Sequence, residues 1–280
     1  MTQYGMLIDI EKCNGCYNCF LACRDEYAGN DQPPYSVAQP NAGQYWMNVV
    51  EKERGSCPKV KVDYIPLPCL HCRAATCITA SPEGAVYRRP DGIVLIDPKK
   101  AKGAREIVST CPHRVIYWNA EKVIPQKCTF CAHLLDQGWK EPRCVAVCPT
   151  GALTFGDLDD PKGKLSELIR ASQAEALHPE YGLDPNVMYV GLPKRFIAGE
   201  VSLADREDEC AEGVTVELQI DGKQKTATTD NYGDFEFNGL ASNRQCILRV
   251  KHSGYVAREL NVSTKTDLNV GEIVLVPARR

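Results

Sequence analysis

The sequence predicts an α+β protein in two parts, a cysteine-rich segment of short hairpins and helices over residues 1–195 and a small all-β sandwich over residues 196–280. Three observations predict it. Of the 15 cysteines, 13 fall at or before Cys148. An amphipathic stretch followed by a Pro/Gly/Asn-rich connector occupies residues 161–195. Beyond Phe196 the apolar residues alternate with a period of two. A length of 280 residues also suits two domains better than one.

Composition narrows the function classes. Lys plus Arg is 33 against 36 for Asp plus Glu, a net charge of -3, which gives no basic footprint for nucleic acid. No run of eighteen apolar residues exists, so no membrane span is expected. The first residues, to Cys13, lack the charged, apolar and small-residue regions of a signal peptide, and the cytoplasm is the expected compartment. An odd cysteine total in a chain this long argues against a disulfide framework and for metal binding.

Element by element, residues 6–10 read as a strand leading into the first cysteines. Residues 85–87 and 93–96 read as a hairpin about the turn Arg89-Pro90-Asp91-Gly92, and residues 115–118 as a further short strand. Leu165, Leu168, Ile169 and Ser172 fall at helical spacing between Gly163 and His178-Pro179. Val214, Val216, Leu218 and Ile220 alternate up to Asp221-Gly222, a hairpin signal. Phe235 with Phe237, then Cys246, Leu248 and Val250, then Leu260 with Val262 and Ile273 with Leu275, extend the series. About seven strands of an immunoglobulin-like or prealbumin-like sandwich are expected.

The cysteine spacing carries the chemistry. Cys13-x2-Cys16-x2-Cys19-x3-Cys23 is a run in which three thiolates grip one [4Fe-4S] cubane and the fourth serves its neighbour. A zinc ribbon needs two ligand pairs with a long spacer, which four cysteines within eleven residues do not supply. The last group, Cys128-x2-Cys131-x12-Cys144-x3-Cys148-Pro149, keeps the terminal spacing behind an insertion. Exchange of the fourth ligand then gives a first cluster on Cys13, Cys16, Cys19 and Cys148. A second falls on Cys23, Cys128, Cys131 and Cys144.

The middle groups decay in a complementary way. Cys69-x2-Cys72-x4-Cys77 lacks its fourth cysteine, with Ser81 in that place, and Cys111-Pro112 is preceded by Ala101, Ala104 and Ile107 where three cysteines would stand. Cys69, Cys72, Cys77 and Cys111 therefore complete a third cluster, while the site of Ser81, Ala101, Ala104 and Ile107 is expected to hold none. Three cysteines remain: Cys246 as a core residue, Cys57 and Cys210 as free thiols. His71, His113 and His133 lie in or beside the motifs, and with four thiolates per cluster they are read as packing or hydrogen-bonding residues. Arg88-Arg89 and Lys99-Lys100 read as solvated faces. No catalytic residue is assigned.

The stretches Cys13-Asn14-Gly15-Cys16-Tyr17-Asn18-Cys19, Cys69-Leu70-His71-Cys72, Gly92-Ile93-Val94-Leu95-Ile96-Asp97-Pro98 and Cys128-Thr129-Phe130-Cys131-Ala132-His133 resemble the iron–sulfur subunits of the dimethyl sulfoxide reductase family of molybdenum enzymes. The resemblance spans about 160 residues and implies a ferredoxin-like multi-cluster fold, although such subunits commonly carry four clusters. A three-cluster plan with a C-terminal sandwich is similar to the hydroxyarene subgroup of transhydroxylases and hydroxylases, as are Tyr45-Trp46-Met47-Asn48 and residues 97–103 followed by Cys111-Pro112. It implies a large catalytic partner holding molybdenum or tungsten on two pterin guanine dinucleotides, further copies of the heterodimer, and export with that partner as the alternative to the cytoplasm.

Three functions compete. An electron-transfer subunit needs fully thiolate-ligated clusters; it serves a transhydroxylase or an oxidoreductase with a hydroxyarene, inorganic or quinone-linked substrate. A hydratase-like enzyme needs a cluster iron with an open position, and a scaffold needs clusters that stay in one oxidation state while stabilising or priming the partner.

Overall fold

The computed structural model describes residues 2–206 and 209–278. The chain is mixed α and β, with few and short helices, and its contacts divide it into two units. One comprises the residues up to Glu51 together with Tyr64–Leu192; the other comprises Lys52–Asp63 together with the chain from Pro193 onward.

In the first unit, β1 (Tyr4–Asp9) leads into the first cysteines and α1 (Asn18–Tyr27) carries Cys19 and Cys23. Strands β2 (Met47–Ser56) and β3 (Lys59–Pro68) pair as a hairpin whose outer part, residues 52–63, belongs to the second unit. A single turn, α2 (Thr76–Thr79), precedes the antiparallel pair β4 (Val86–Arg88) and β5 (Val94–Ile96), and β6 (Tyr117–Asn119) pairs with β7 (Ile124–Gln126). Two more short helices, α3 (Ala132–Asp136) and α4 (Arg143–Ala146), carry the last cysteine group into β8 (Leu153–Asp157). The helix expected after Gly163 is α5 (Lys164–Ala171), which buries Leu165, and β9 (Val187–Val190) follows. β1 is the centre of a three-stranded sheet, antiparallel to β8 and parallel to β9. The core beside this sheet contains the cysteines themselves: Cys19, Cys23, Cys69, Cys128, Cys131 and Cys144 are buried among Met6, Ile8, Trp46, Phe130 and Tyr189.

The second unit holds seven strands among the described residues: β10 (Arg195–Leu203), β11 (Thr215–Ile220), β12 (Lys223–Thr228), β13 (Asp234–Leu240), β14 (Gln245–Lys251), β15 (Arg258–Ser263) and β16 (Leu268–Leu275). One sheet runs β13-β10-β16 and the other β12-β11-β14-β15. Both contribute to one apolar core, with Ile197, Val201, Phe235, Phe237 and Leu275 from the first and Val216, Leu218, Leu248 and Val250 from the second. Asp221 and Gly222 both take positive φ, 50° and 72°, as a two-residue hairpin turn between right-twisted strands requires. Cys246 is buried in this core, and Cys57 and Cys210 are exposed.

The outer part of the β2–β3 hairpin is tied into the second unit by charge. Asp267, 3% exposed in its side chain, receives Nη1 of Arg54 at 3.0 Å, Nη1 of Arg195 at 3.0 Å and the Phe196 amide at 3.0 Å. Arg54 and Lys61 lie 5.6 and 4.9 Å from the centroid of the Phe196 ring, and Lys61 also pairs with Glu236.

Candidate metal centres

Local backbone geometry aims the cysteines. In each of three Cys-x2-Cys loops the residue before the second cysteine takes a left-handed conformation: Gly15 (φ 69°), His71 (φ 46°) and Phe130 (φ 52°). Only glycine does so without strain, and strain of this kind is kept where the surroundings over-determine the backbone. At position 15 glycine is also needed for space, since an added Cβ would lie 2.5 Å from the Tyr64 ring. The turn brings both sulfurs to one side and frees amides for them; the Phe130 amide donates to Sγ of Cys128 at 3.4 Å.

Twelve cysteines fall into three groups of four. Cys13, Cys16, Cys19 and Cys148 line one cavity, with Asn14, Gly15, Val49, Pro66 and Leu153 among the rest of its wall. Cys69, Cys72, Cys77 and Cys111 line another, together with His71, Val94, Val115 and Lys127. Cys23, Cys128, Cys131 and Cys144 are all buried, and their sulfurs lie close enough to raise one another's proton affinity. The groups adjoin in sequence: Cys19 acts electrostatically on Cys23 and Cys144, and Cys69 acts on Cys128. Cys19 and Cys23 are four residues apart on α1, so the first and second groups are offset by about 6 Å of helix rise.

Burial sets the thiol chemistry. It is the largest cause of the rise at Cys19, Cys72 and Cys128, each pushed up to about 12, at Cys77 and Cys131, to about 11, and at Cys23 and Cys144, well above the ordinary thiol value. Such thiols give up their protons when a metal cation binds them, as cluster iron does. At Cys148 burial also acts upward, but the Leu153 amide, the Thr150 hydroxyl and the Ala152 and Thr150 amides outweigh it and lower that thiol. Among the described residues no three His, Cys, Asp or Glu side chains converge on a point, as the ligands of a single ion would. Thiols arranged around an empty volume suit a polynuclear group with an iron at each corner.

Two buried polar groups lining the cavity of Cys69, Cys72, Cys77 and Cys111 suit a partner of that kind. His71 is fully buried; its Nδ1 accepts from the Val94 amide at 3.0 Å, so Nε2 carries the proton, and Nε2 has no partner. Its ring packs against Phe130 at 3.8 Å between centroids, tilted by 32°. Lys127 is 3% exposed and forms no ion pair among the described residues. The donor set therefore fits an anionic iron–sulfur group, whose sulfides accept hydrogen bonds and whose charge opposes an ammonium.

The remaining residues singled out in the sequence have different surroundings. His133 bonds Glu26 through Nε2 at 2.8 Å, and His113 packs against His178 and Tyr181. Arg88 and Arg89 are not solvated as expected: Arg88 donates to the Cys72 and Arg73 carbonyls at 2.8 and 2.6 Å, and Arg89 bridges Asp91 and Asp136. Both hold loops, because neighbouring carbonyls and carboxylates converge on them. Lys99 and Lys100 are exposed. Ala101 and Ile107 are fully buried and Ala104 is 8% exposed, in an apolar core with Ala85, Val86, Ile96 and Ile116, while the Ser81 hydroxyl donates to the Ile78 carbonyl at 3.1 Å. Protein fills that position. The residues that sequence reasoning passed over are Lys127 and Tyr27; the Tyr27 hydroxyl lies 2.7 Å from Thr129 Oγ1, and its hydrogen bonding partly offsets the burial that raises the Cys131 thiol.

Comparison with known proteins gives consistent matches. A family model described as a 4Fe-4S dicluster domain matches residues 60–158. The pyrogallol hydroxytransferase small subunit of Pelobacter acidigallici is 41% identical over 247 residues, covering 86% of this chain and 88% of that protein. The arsenate respiratory reductase iron–sulfur subunit of Shewanella sp. is 32% identical over 236 residues, 67% of this chain and 96% of its own. A Halobacterium salinarum protein assigned as a dimethyl sulfoxide reductase iron–sulfur subunit is 34% identical over 220 residues, 68% of this chain and 79% of its own. No helix of the described residues is long and apolar enough to cross a membrane.

Proposed function

The chain belongs to the iron–sulfur subunits of the dimethyl sulfoxide reductase family of molybdenum enzymes, and from that premise we propose that it is the three-cluster electron-transfer subunit of an enzyme acting on hydroxylated aromatic compounds. The observation that carries the reading is the set of three four-thiol groups, one wholly buried and the others reaching exposed Cys16 and partly exposed Cys111. We assign Cys13, Cys16, Cys19 and Cys148 to the first [4Fe-4S] cluster, Cys23, Cys128, Cys131 and Cys144 to the second, and Cys69, Cys72, Cys77 and Cys111 to the third. When bound, the clusters supply a row of one-electron sites. The chain's own residues supply four thiolates to each, amide donors from the left-handed loops, and an apolar wall that keeps water from the middle group.

The hydroxyarene assignment rests on the relative of 41% identity that matches along most of both chains. The partner is then a large subunit carrying molybdenum or tungsten on two pterin guanine dinucleotides. The first unit is a ferredoxin-like domain and the second a β-sandwich that contacts the large subunit or another copy. The compartment proposed is the cytoplasm, with export alongside the partner as the alternative.

The test is to co-purify the native complex anaerobically and add pyrogallol or a related hydroxyarene while following the clusters by EPR. Signals that change with substrate support electron transfer. Clusters that hold one oxidation state throughout turnover would replace it with a scaffold role, and activity only on inorganic or quinone-linked substrates would move the chain to another branch of the family.

A further inference from the structure

Lys127 is placed where a lysine is costly. It is 3% exposed, and its ammonium donates to the Val94 carbonyl and, at 3.1 Å, to the carbonyl of Cys128. Two acceptors leave one of three N–H bonds unused. No carboxylate pairs with it among the described residues, and a buried charge without an opposing charge is strongly disfavoured. Its position answers the question of what opposes it. Lys127 lines the cavity of Cys69, Cys72, Cys77 and Cys111, and it precedes Cys128 of the second group. Its charge acts on Cys77 of one group and on Cys128 of the other. It does not line the cavity of Cys13, Cys16, Cys19 and Cys148.

We propose that Lys127 is the fixed countercharge shared by the second and third clusters, holding both at higher reduction potential than the same ligands would give without it. The inference rests on the three-cluster reading. A cluster gains negative charge when it takes an electron, so a positive charge fixed beside it in a low-dielectric interior favours the reduced form. The two carbonyls hold the ammonium in place, and His71, which lines the same cavity and packs at a tilt against Phe130, contributes a neutral donor but no charge. The first cluster, outside this arrangement, is left at its own potential.

The experiment is an anaerobic reductive titration of the holoprotein, monitored by EPR, with iron counted on the same samples. In Lys127→Met, two of the three cluster potentials should fall by a factor of ten or more in the equilibrium constant for electron uptake, about 59 mV for one electron, while the third stays fixed. Lys127→Arg, which keeps the charge, should stay close to the parent. A uniform shift of all three clusters, no shift, or an arginine variant that matches the methionine variant overturns the proposal. If Lys127→Met and Lys127→Gln retain only the first cluster while Lys127→Arg retains three, the countercharge role stands; equal iron loss in all three variants refutes it. A parent protein without three clusters would instead refute the reading on which the proposal rests.

Discussion

Truncating Ile107 to alanine probes the site where a fourth cluster would sit. Its side chain is fully buried against Ala101, Ala104, Val86, Ile96 and Ile116. Removing three carbons forfeits about 2.4 kcal/mol of burial at about 0.8 kcal/mol for each. The alanines around it have no reach to refill the space, so a cavity term adds to this, and about 3–4 kcal/mol is expected, within the range of about 2–5 kcal/mol for such truncations. With a urea slope of about 2 kcal/mol/M, the unfolding midpoint should drop by about 1.5–2 M. The assay is urea unfolding of the holoprotein followed anaerobically by far-ultraviolet circular dichroism, with the iron content measured before denaturant is added. Iron should not change. A midpoint shift below about 0.5 M would show that the position is not packed protein, and altered iron would show that it contributes to a cluster.

Cys111→Ala should cut iron from about twelve to about eight per chain and leave the EPR signals of the other two clusters in place; loss of the cluster on Cys13, Cys16 and Cys19 would contradict the grouping. Arg54→Ala should destabilise the second unit by about 2–3 kcal/mol, less than the roughly 3–5 kcal/mol for a buried pair losing its sole partner, because Arg195 and the Phe196 amide still hold Asp267. Limited proteolysis within residues 193–278 would report it, and unchanged protection would refute it.

The proposed grouping follows from the cysteine spacing, since ligand exchange between paired motifs is a covalent-geometry rule that tolerates insertions such as the one before Cys144. The alternating strands and the Asp221-Gly222 turn were legible for the same reason, being local. Helix α1 was not, because its buried face is Cys19, Ala22, Cys23 and Tyr27, and two of those four positions read as metal ligands instead of as part of an apolar stripe. The β2–β3 hairpin was hidden by its charged outer half, Glu51 to Arg54, which interrupts the apolar alternation on either side of the Gly55-Ser56-Cys57-Pro58 turn. The pairing of β1 with β9 joins residues about 180 apart in the chain and leaves no local trace. Lys127 looks in sequence like any basic residue beside a motif; only the Val94 carbonyl, brought in by the β4–β5 hairpin, shows that it is held inside.

The measurement closest to the central claim is iron and acid-labile sulfide on anaerobically prepared protein, with EPR after full reduction. About twelve of each per chain, from three cubanes with four thiolates apiece, is the result the account predicts. About sixteen would mean that the apolar core at Ala101, Ala104 and Ile107 gives way to a fourth cluster, and about eight would mean that one of the three four-cysteine groups is not a cluster site, either of which contradicts it.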